Sequence, residues 1–545
     1  MSSSEKKNTF FGGAAILAVG VVLTKIIGAI YKIPLINILT DAAYADFSSA
    51  YTIYTFFLTI STAGLPVALS KTISEANALG RKNQTQKVFR VALLTFLALG
   101  VFSFFCMSVL AVPMSSLVVR NPKAIYCVLA LAPSVLCVCI MAAFRGYFQG
   151  HFNMTPTSVS QVIESFLKLL IGLGLAVLIT NMALQPADFG ERMPAVGAII
   201  GVSTGSVIAL VYMIWTYLRH RRGQKSGTDR VDSSKRILVN LLKLAIPITL
   251  GSGANALITV IDGSLVMTQL QRFYETAQHM DAGMALDAAR ALKGIYDKTM
   301  SVYNLPFSMM VPLTACIIPA VSAALARRDR REAQRVSESA LRVGLLLALP
   351  MGMGLFALGG PIMGLLARGI DVSIAGPLLS ILGIASIFVS LQLLCNSILQ
   401  ANGMVNLPIL VVAIGGVVKI AVNYTLVGNP DILINGAPVG TLFCFLIMSV
   451  LDIFIIRRAI PAAPSFLKAT LKPLLASVVM AAAAWASYGL LTNFLHLGNS
   501  LSTVFAIGVG GVVYLVLVLA LKIISKEDLE LMPKGDKIAK LLRIS

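Results

Sequence analysis

The chain reads as an all-α integral membrane protein of about fourteen transmembrane helices. They form two pseudo-symmetric six-helix lobes, with two further helices at the C-terminal end. Three observations predict this. The 545 residues are 57% hydrophobic and 12% charged, with a mean hydropathy of +0.84, more apolar than a water-facing surface of this size allows. The charges cluster between apolar runs of about 20 residues, the length that crosses a bilayer as a helix. Several motifs recur at a nearly constant spacing. A transmembrane β-barrel is excluded, because its strands would alternate over about 10 residues.

The predicted spans lie at roughly 10–31, 46–70, 88–112, 123–144, 156–179, 194–218, 238–270, 299–324, 338–359, 373–399, 406–427, 437–457, 471–491 and 501–524. The first run follows Lys6 and Lys7, is too long for a secretory signal, contains Lys25 and has no small-x-small cleavage site, so it reads as a retained helix. The longest expected loop, 271–298, is too small for a catalytic domain.

Lysine and arginine fix the expected orientation. With the N-terminus inside, 31 of the 44 fall in cytoplasmic segments and 9 in outer ones; Lys25, Lys168, Lys243 and Lys419 lie within spans. Both termini are therefore expected in the cytoplasm. The net charge of +20 is largely this bias, together with attraction to anionic membrane lipids. Beside a span, the basic stretch 219–230 suits a membrane surface and gives no sign of nucleic-acid binding.

The seven cysteines lie in apolar runs and read as small buried hydrophobes. The four histidines, His151, His220, His279 and His496, are scattered, and no metal site or cofactor is expected.

The repeat relates helix 4 to helix 10. Gln149 precedes Lys168 by nineteen residues and Gln400 precedes Lys419 by nineteen, an offset of 251 between copies. Pro66 and Pro319 match at 253, and Pro194 and Pro438 at 244. The expected organisation is a lobe at 1–218, a basic linker at 219–237, a second lobe at 238–457, and helices 13 and 14 with a tail at 458–545. Two parallel halves suit alternating access to a site near the midplane.

Charged residues inside spans mark the candidate site, since each costs roughly 3 kcal/mol at mid-bilayer. Lys25 lies too deep to snorkel comfortably and is expected to line a polar cavity. Lys32 can line it too, or reach an interface. Glu164 and Lys168 are four apart on one helix face; they form either a self-neutralising pair or a cavity lining whose ion occupancy changes. Lys419 has Gly415 four residues earlier and no acid there, so it is a candidate cavity cation. Asp262 can pair with a lysine or bind a coupling cation. Asp452, close to Arg457, reads as structural. A cationic wall suits an anionic substrate.

KIIGAIYKIPL (25–35), STAGLPVALSK (61–71) and RGYFQGHFNMTPTSVSQVIE (145–164) carry a resemblance. So does the tail KEDLELMPKGDKIAKLL (526–542). The chain resembles the polysaccharide-biosynthesis branch of the multidrug/oligosaccharidyl-lipid/polysaccharide exporter superfamily. Within it, the chain is similar to stage V sporulation protein B type proteins and MurJ-type lipid II flippases. The resemblance implies a flippase of the bacterial cytoplasmic membrane, probing no covalent chemistry. Its substrate would be an undecaprenyl-pyrophosphate-linked sugar, its partners membrane lipids, and its oligomeric state a monomer. Cavity cations Lys25, Lys32, Lys168 and Lys419 would hold the headgroup, helices 13 and 14 would form a groove for the lipid tail, and a coupling cation or the membrane potential would drive the cycle. A cation-coupled multidrug exporter of the same fold is the alternative, but it would favour carboxylates where helix 1 has Lys25. A membrane glycosyltransferase would need paired carboxylates, and the outer loops offer only scattered ones such as Asp281, Asp287 and Asp371.

Overall fold

The computed structural model describes residue 20 and residues 23–151, 153–182, 187–222, 229–404, 406–461, 463–521 and 523. The start of helix 1, the middle of the basic linker (223–228) and the C-terminal tail lie outside the described residues.

The described residues form helices and connecting turns. They are α1 (23–38), α2 (Asp41–Thr62), α3 (Leu65–Ala78), α4 (Lys82–Val109), α5 (Ile125–Gly150), α6 (Thr155–Leu167), α7 (Leu173–Asn181), α8 (Ala187–Arg222) and α9 (Ser234–Thr276). They continue with α10 (Ala282–Ala326), α11 (Arg330–Ala357), α12 (Gly359–Leu366), α13 (Val372–Ala401), α14 (Leu407–Val427), α15 (Gly436–Ala459), α16 (Phe466–Asn493) and α17 (Asn499–Ala520). Twelve helical stretches among the described residues are long and apolar enough to cross a membrane. The two further expected spans are α1, whose beginning lies outside the described residues, and the one within α10, where part of the side chains does.

Local chemistry sets the helix ends. The Thr40 hydroxyl accepts from the Ala43 N–H, and the Asp329 carboxylate accepts from the Glu332 N–H at 3.0 Å, so each caps a helix start. Pro66, Pro156 and Pro408 open α3, α6 and α14, where a missing N–H costs nothing. Pro319, the repeat partner of Pro66, instead lies inside the unbroken 45-residue α10. The segment expected as a long loop at 271–298 is mostly helix, with only 277–281 between α9 and α10.

The chain divides into two compact units, Met1–Gln271 with Met280–Gly294, and Arg272–His279 with Ile295–Ser545. In the first, Leu69, Phe89, Phe96, Met141, Tyr147 and Phe148 build a buried core that also takes Leu241 and Ala245 from α9. The internal repeat counts α9 with the second half, whereas packing places most of it with the first. In the second, Val321, Leu341, Leu394, Ile398, Ile456 and Phe466 build the corresponding core. The two last helices dock on this unit: the Tyr514 hydroxyl donates to the Leu346 carbonyl at 2.7 Å, and the Asn499 amide to the Pro361 carbonyl at 3.2 Å. Large apolar side chains such as Trp485 and Leu467 stay exposed, as a lipid-facing surface requires.

Candidate functional site

Lys168 sits where α6 passes into a π-helical turn, Lys168–Gly172, before α7. Such a turn inserts one extra residue and re-aims the side chains beyond it. The Lys168 ammonium lies 4.6 Å from the ring centre of Tyr31 on α1 and 4.9 Å from that of Tyr51 on α2. Both distances are in the range where a ring face attracts a cation. Tyr31 is buried, and its hydroxyl donates to the Ala198 carbonyl of α8 at 3.4 Å.

Glu164 takes a different partner from the one its spacing suggested. Arg145 on α5 donates to its carboxylate at 3.1 Å and to the Ser160 hydroxyl at 3.0 Å, while the Ser206 hydroxyl of α8 donates to the other Glu164 oxygen at 3.4 Å. Among the described residues, no carboxylate lies within ion-pair distance of Lys168. The fork of an arginine with several donors fits a carboxylate better than a single ammonium does. Arg145, counted as a cytoplasmic loop residue from sequence, is thus part of the helix-embedded charge pattern.

The other sequence candidates fall as follows. Lys32 on α1 is half-buried and within electrostatic reach of both Lys168 and Lys25. Three of the four expected cations therefore gather in the first unit, with Lys25 exposed on its helix. Asp262 is buried on α9 in the same unit. Lys419 belongs to the second unit, half-buried on α14 and electrostatically coupled to the buried Tyr303 of α10. Tyr51 and Tyr303 are 252 residues apart, close to the 251 that separates Lys168 from Lys419, so each unit repeats a tyrosine–lysine neighbourhood. That spacing was present in the sequence and went unread, because tyrosine in an apolar run looks like core.

Sequence reading also missed a buried ion-pair network in the first unit. The Arg290 guanidinium donates to the two Asp46 oxygens at 3.0 and 2.6 Å and to Asp287 at 2.6 Å; Arg290 and Asp46 are 1% and 0% exposed. Asn121 donates to Asp46 at 2.8 Å, and Lys123 donates to Asp287 at 2.8 Å. Burial by itself would push the Asp287 carboxyl up, but the Lys123 and Arg290 hydrogen bonds outweigh it and hold the group below the usual carboxylate range. Among the described residues, no cluster of three His, Cys, Asp or Glu could hold a metal ion.

The second unit contains an apolar cavity of about 380 Å³, lined by Leu305, Pro306, Leu355, Leu358, Met480 and Ile507 among others. Its walls come from α10, α11 and α12 together with the two C-terminal helices. Hydrocarbon is the occupant such a lining suits.

A family model described as polysaccharide biosynthesis protein matches residues 10–325, and one described as MatE matches 294–425. Three Bacillus subtilis (strain 168) proteins match over nearly their full length. Membrane protein YabM is 25% identical over 99% of this chain and 97% of its own. Stage V sporulation protein B is 23% identical over 97% and 98%, and lipid II flippase MurJ 24% identical over 94% and 95%. Among solved structures, lipid II flippase MurJ in an inward closed conformation superposes with a TM-score of 0.68 at 16% identity, covering 93% of this chain and 98% of that one. An inward-facing multidrug resistance MATE family transporter gives 0.61 at 14% identity, covering 84% and 98%. With the family model spanning more than half of the chain and the fold shared end to end, this multi-pass membrane protein belongs to the polysaccharide biosynthesis protein family, within the flippase-like transporters of the multidrug/oligosaccharidyl-lipid/polysaccharide superfamily.

Proposed function

We propose that this protein flips an undecaprenyl-pyrophosphate-linked sugar, lipid II or a related cell-wall precursor, across the cytoplasmic membrane by alternating access. The observation that carries the reading is the grouping of Lys168, Lys32 and Lys25 without a carboxylate on Lys168. A diphosphate entering there meets the Lys168 charge, which among the described residues no carboxylate holds in an ion pair. Two carboxylates of the first unit that a cationic drug could otherwise meet are occupied: Glu164 by Arg145 and Asp46 by Arg290. The apolar cavity beside the C-terminal helices suits the prenyl chain, which can stay in a hydrocarbon setting while the headgroup moves.

The cycle follows from electrostatics and packing. The headgroup leaves water and exchanges its hydration for lysine ammonium groups, which bind phosphate as point charges. Tyr31 and Tyr51 hold the Lys168 ammonium without cancelling its charge. A conformational change that opens the site to the far leaflet returns the headgroup to water.

Complementation tests the reading. Cells depleted of their essential lipid II flippase should grow when this protein is expressed, and K168A should abolish growth at normal membrane abundance. Failure of the wild-type protein to restore growth, with correct insertion, removes lipid II as substrate; growth with K168A removes the lysine site. The proposed orientation has its own test. Cysteines placed at Gly227 and Gly535 should be shielded from an impermeant thiol reagent in intact cells, while one at Gly283 should label.

A further inference from the structure

The second unit holds a carboxyl group that transport of an anionic headgroup leaves unused. Asp452 lies on α15, about two turns before its end at Ala459, and is 0% exposed. Neither of its carboxyl oxygens has a hydrogen-bond partner among the described residues. The seam around it is closed. One turn earlier, the Ser449 hydroxyl donates to the Phe388 carbonyl of α13 at 2.9 Å. Cys395 of α13 is within electrostatic reach of Asp452, and its neighbours Leu394, Ile398 and Leu399 belong with Ile456 to the buried core. None of the described charged groups on the surrounding helices hydrogen-bonds to Asp452. Arg457, Arg458, Arg330 and Lys468 are exposed; Glu338 of α11 accepts from the Ser465 N–H at 2.8 Å; Arg342 is half-buried with contacts of its own. An ionised carboxylate without partners in such a place costs several kcal/mol, and a neutral acid costs much less.

A route to water approaches the same side. A cavity of about 230 Å³ is lined by Arg330, Ser337, Ile398, Asn402 and Ile460, room for several waters at about 30 Å³ each. Asp452 and Ile456 are four apart and share one face of α15, and Ile460, which lines the cavity, follows the last residue of that helix. On α13, Cys395 and Ile398 are three apart and lie on one face, and Asn402 caps the end of that helix. Ile398, which lines the cavity, and Ile456, one turn from the acid, are 1% and 0% exposed and belong to the same buried core.

We infer that Asp452 is a proton-binding site of the second unit, with Ile398 and Ile456 as the plug between it and the water-sized cavity. In this conformation the group is a neutral carboxylic acid. When the plug parts, the acid O–H bond breaks, the proton passes to a water molecule, and the carboxylate that remains is hydrated in place. The ligand is a proton rather than a metal ion, because a hard cation needs six or more oxygens and this seam is apolar. Release and uptake would link one proton to opening of the second unit, whichever lipid is carried.

Infrared spectroscopy of the full-length protein in lipid nanodiscs at neutral pH tests this without any transport assay. The expected spectrum contains the carbonyl stretch of a buried protonated carboxyl, which D452N removes at unchanged melting temperature. The same carbonyl stretch persisting in D452N overturns the assignment. The second arm keeps the wild-type acid. In I456A, the deuterium shift of that band after transfer to heavy water should be several-fold faster than in the wild type; an equal rate overturns the route through the cavity. Neither arm depends on lipid II, so loss of the flippase reading would leave both results interpretable.

Discussion

In the first unit, Arg145 meets Glu164 at 3.1 Å and Arg290 meets Asp46 at 2.6 Å. In the second, the position 251 residues beyond Arg145 is Asn396, whose buried amide oxygen has no hydrogen-bond partner among the described residues, and the position 251 beyond Glu164 is Gly415. A side chain at Gly415 would run into Met448, so the second unit fills with thioether the place where the first keeps an ion pair. It buries Asp452 on another helix, and among the described residues neither carboxyl oxygen has a hydrogen-bond partner. The tyrosine–lysine neighbourhood is kept in both, Tyr51 with Lys168 and Tyr303 with Lys419. The two halves therefore share one lysine position, Lys168 and Lys419, and differ in their anions. A paired anion fixes structure, whereas an unpaired buried one is left to titrate.

Four measurements break or sharpen that contrast. The largest effect is expected in the first unit. R290A strands the Asp46 carboxylate in the interior and should cost about 3–5 kcal/mol, read as a drop in melting temperature and membrane abundance. A D46L/R290M double variant removes both charges and should recover most of that loss; no recovery would mean the pair acts through something other than its charges.

Next comes the backbone approach beside that network. A Cβ at Gly294 of α10 would meet the Asp41 carbonyl at the start of α2. G294V should therefore destabilise by about 1–3 kcal/mol through overpacking, and a neutral result would show that the helices part readily there.

The direct comparison is E164A against D452N. Removing Glu164 leaves the Arg145 charge half-buried and should cost about 1–3 kcal/mol. D452N replaces a neutral acid by its isostere and should change stability by less than about 1 kcal/mol. Equal losses in denaturation of the purified variants would erase the distinction between the units.

The smallest effect is a pH dependence. Asp287 is held below the usual carboxylate range and is about half exposed. Its contribution is fully present above the unfolded carboxylate value of about 3.9. It is lost as pH falls through the depressed folded value. D287N should flatten that part of the acid-stability curve and leave neutral pH nearly unchanged; a curve identical to the wild type would detach Asp287 from the network.

Much of this was legible in the residues. The apolar runs gave the helices, since a bilayer leaves a chain little else to form. RGYFQGHFNMTPTSVSQVIE and its copy 251 residues on mark the junctions α5–α6 and α13–α14, although the span expected at 123–144 continues as helix to Gly150. Spacing along one helix failed where a third helix intervened. Glu164 and Lys168 share a face, yet Arg145 of α5 takes the acid and two tyrosines take the lysine. Arg290 looked like a loop cation because the charges around it break the apolar pattern, and it is one of the largest fully buried side chains.

By itself the sequence determined the membrane class and most of the apolar helices, and it carries the repeated motifs and the lysines inside expected spans. These follow from hydropathy, proline placement and charge, which are local or periodic properties of the chain. Only the tertiary structure decided which charges are compensated: Glu164 and Asp46 are, and Asp452 is not. The reason is physical. A buried charge is stabilised by groups within a few ångströms, and those groups come from helices far apart in sequence, such as Asp46 and Arg290, 244 residues apart.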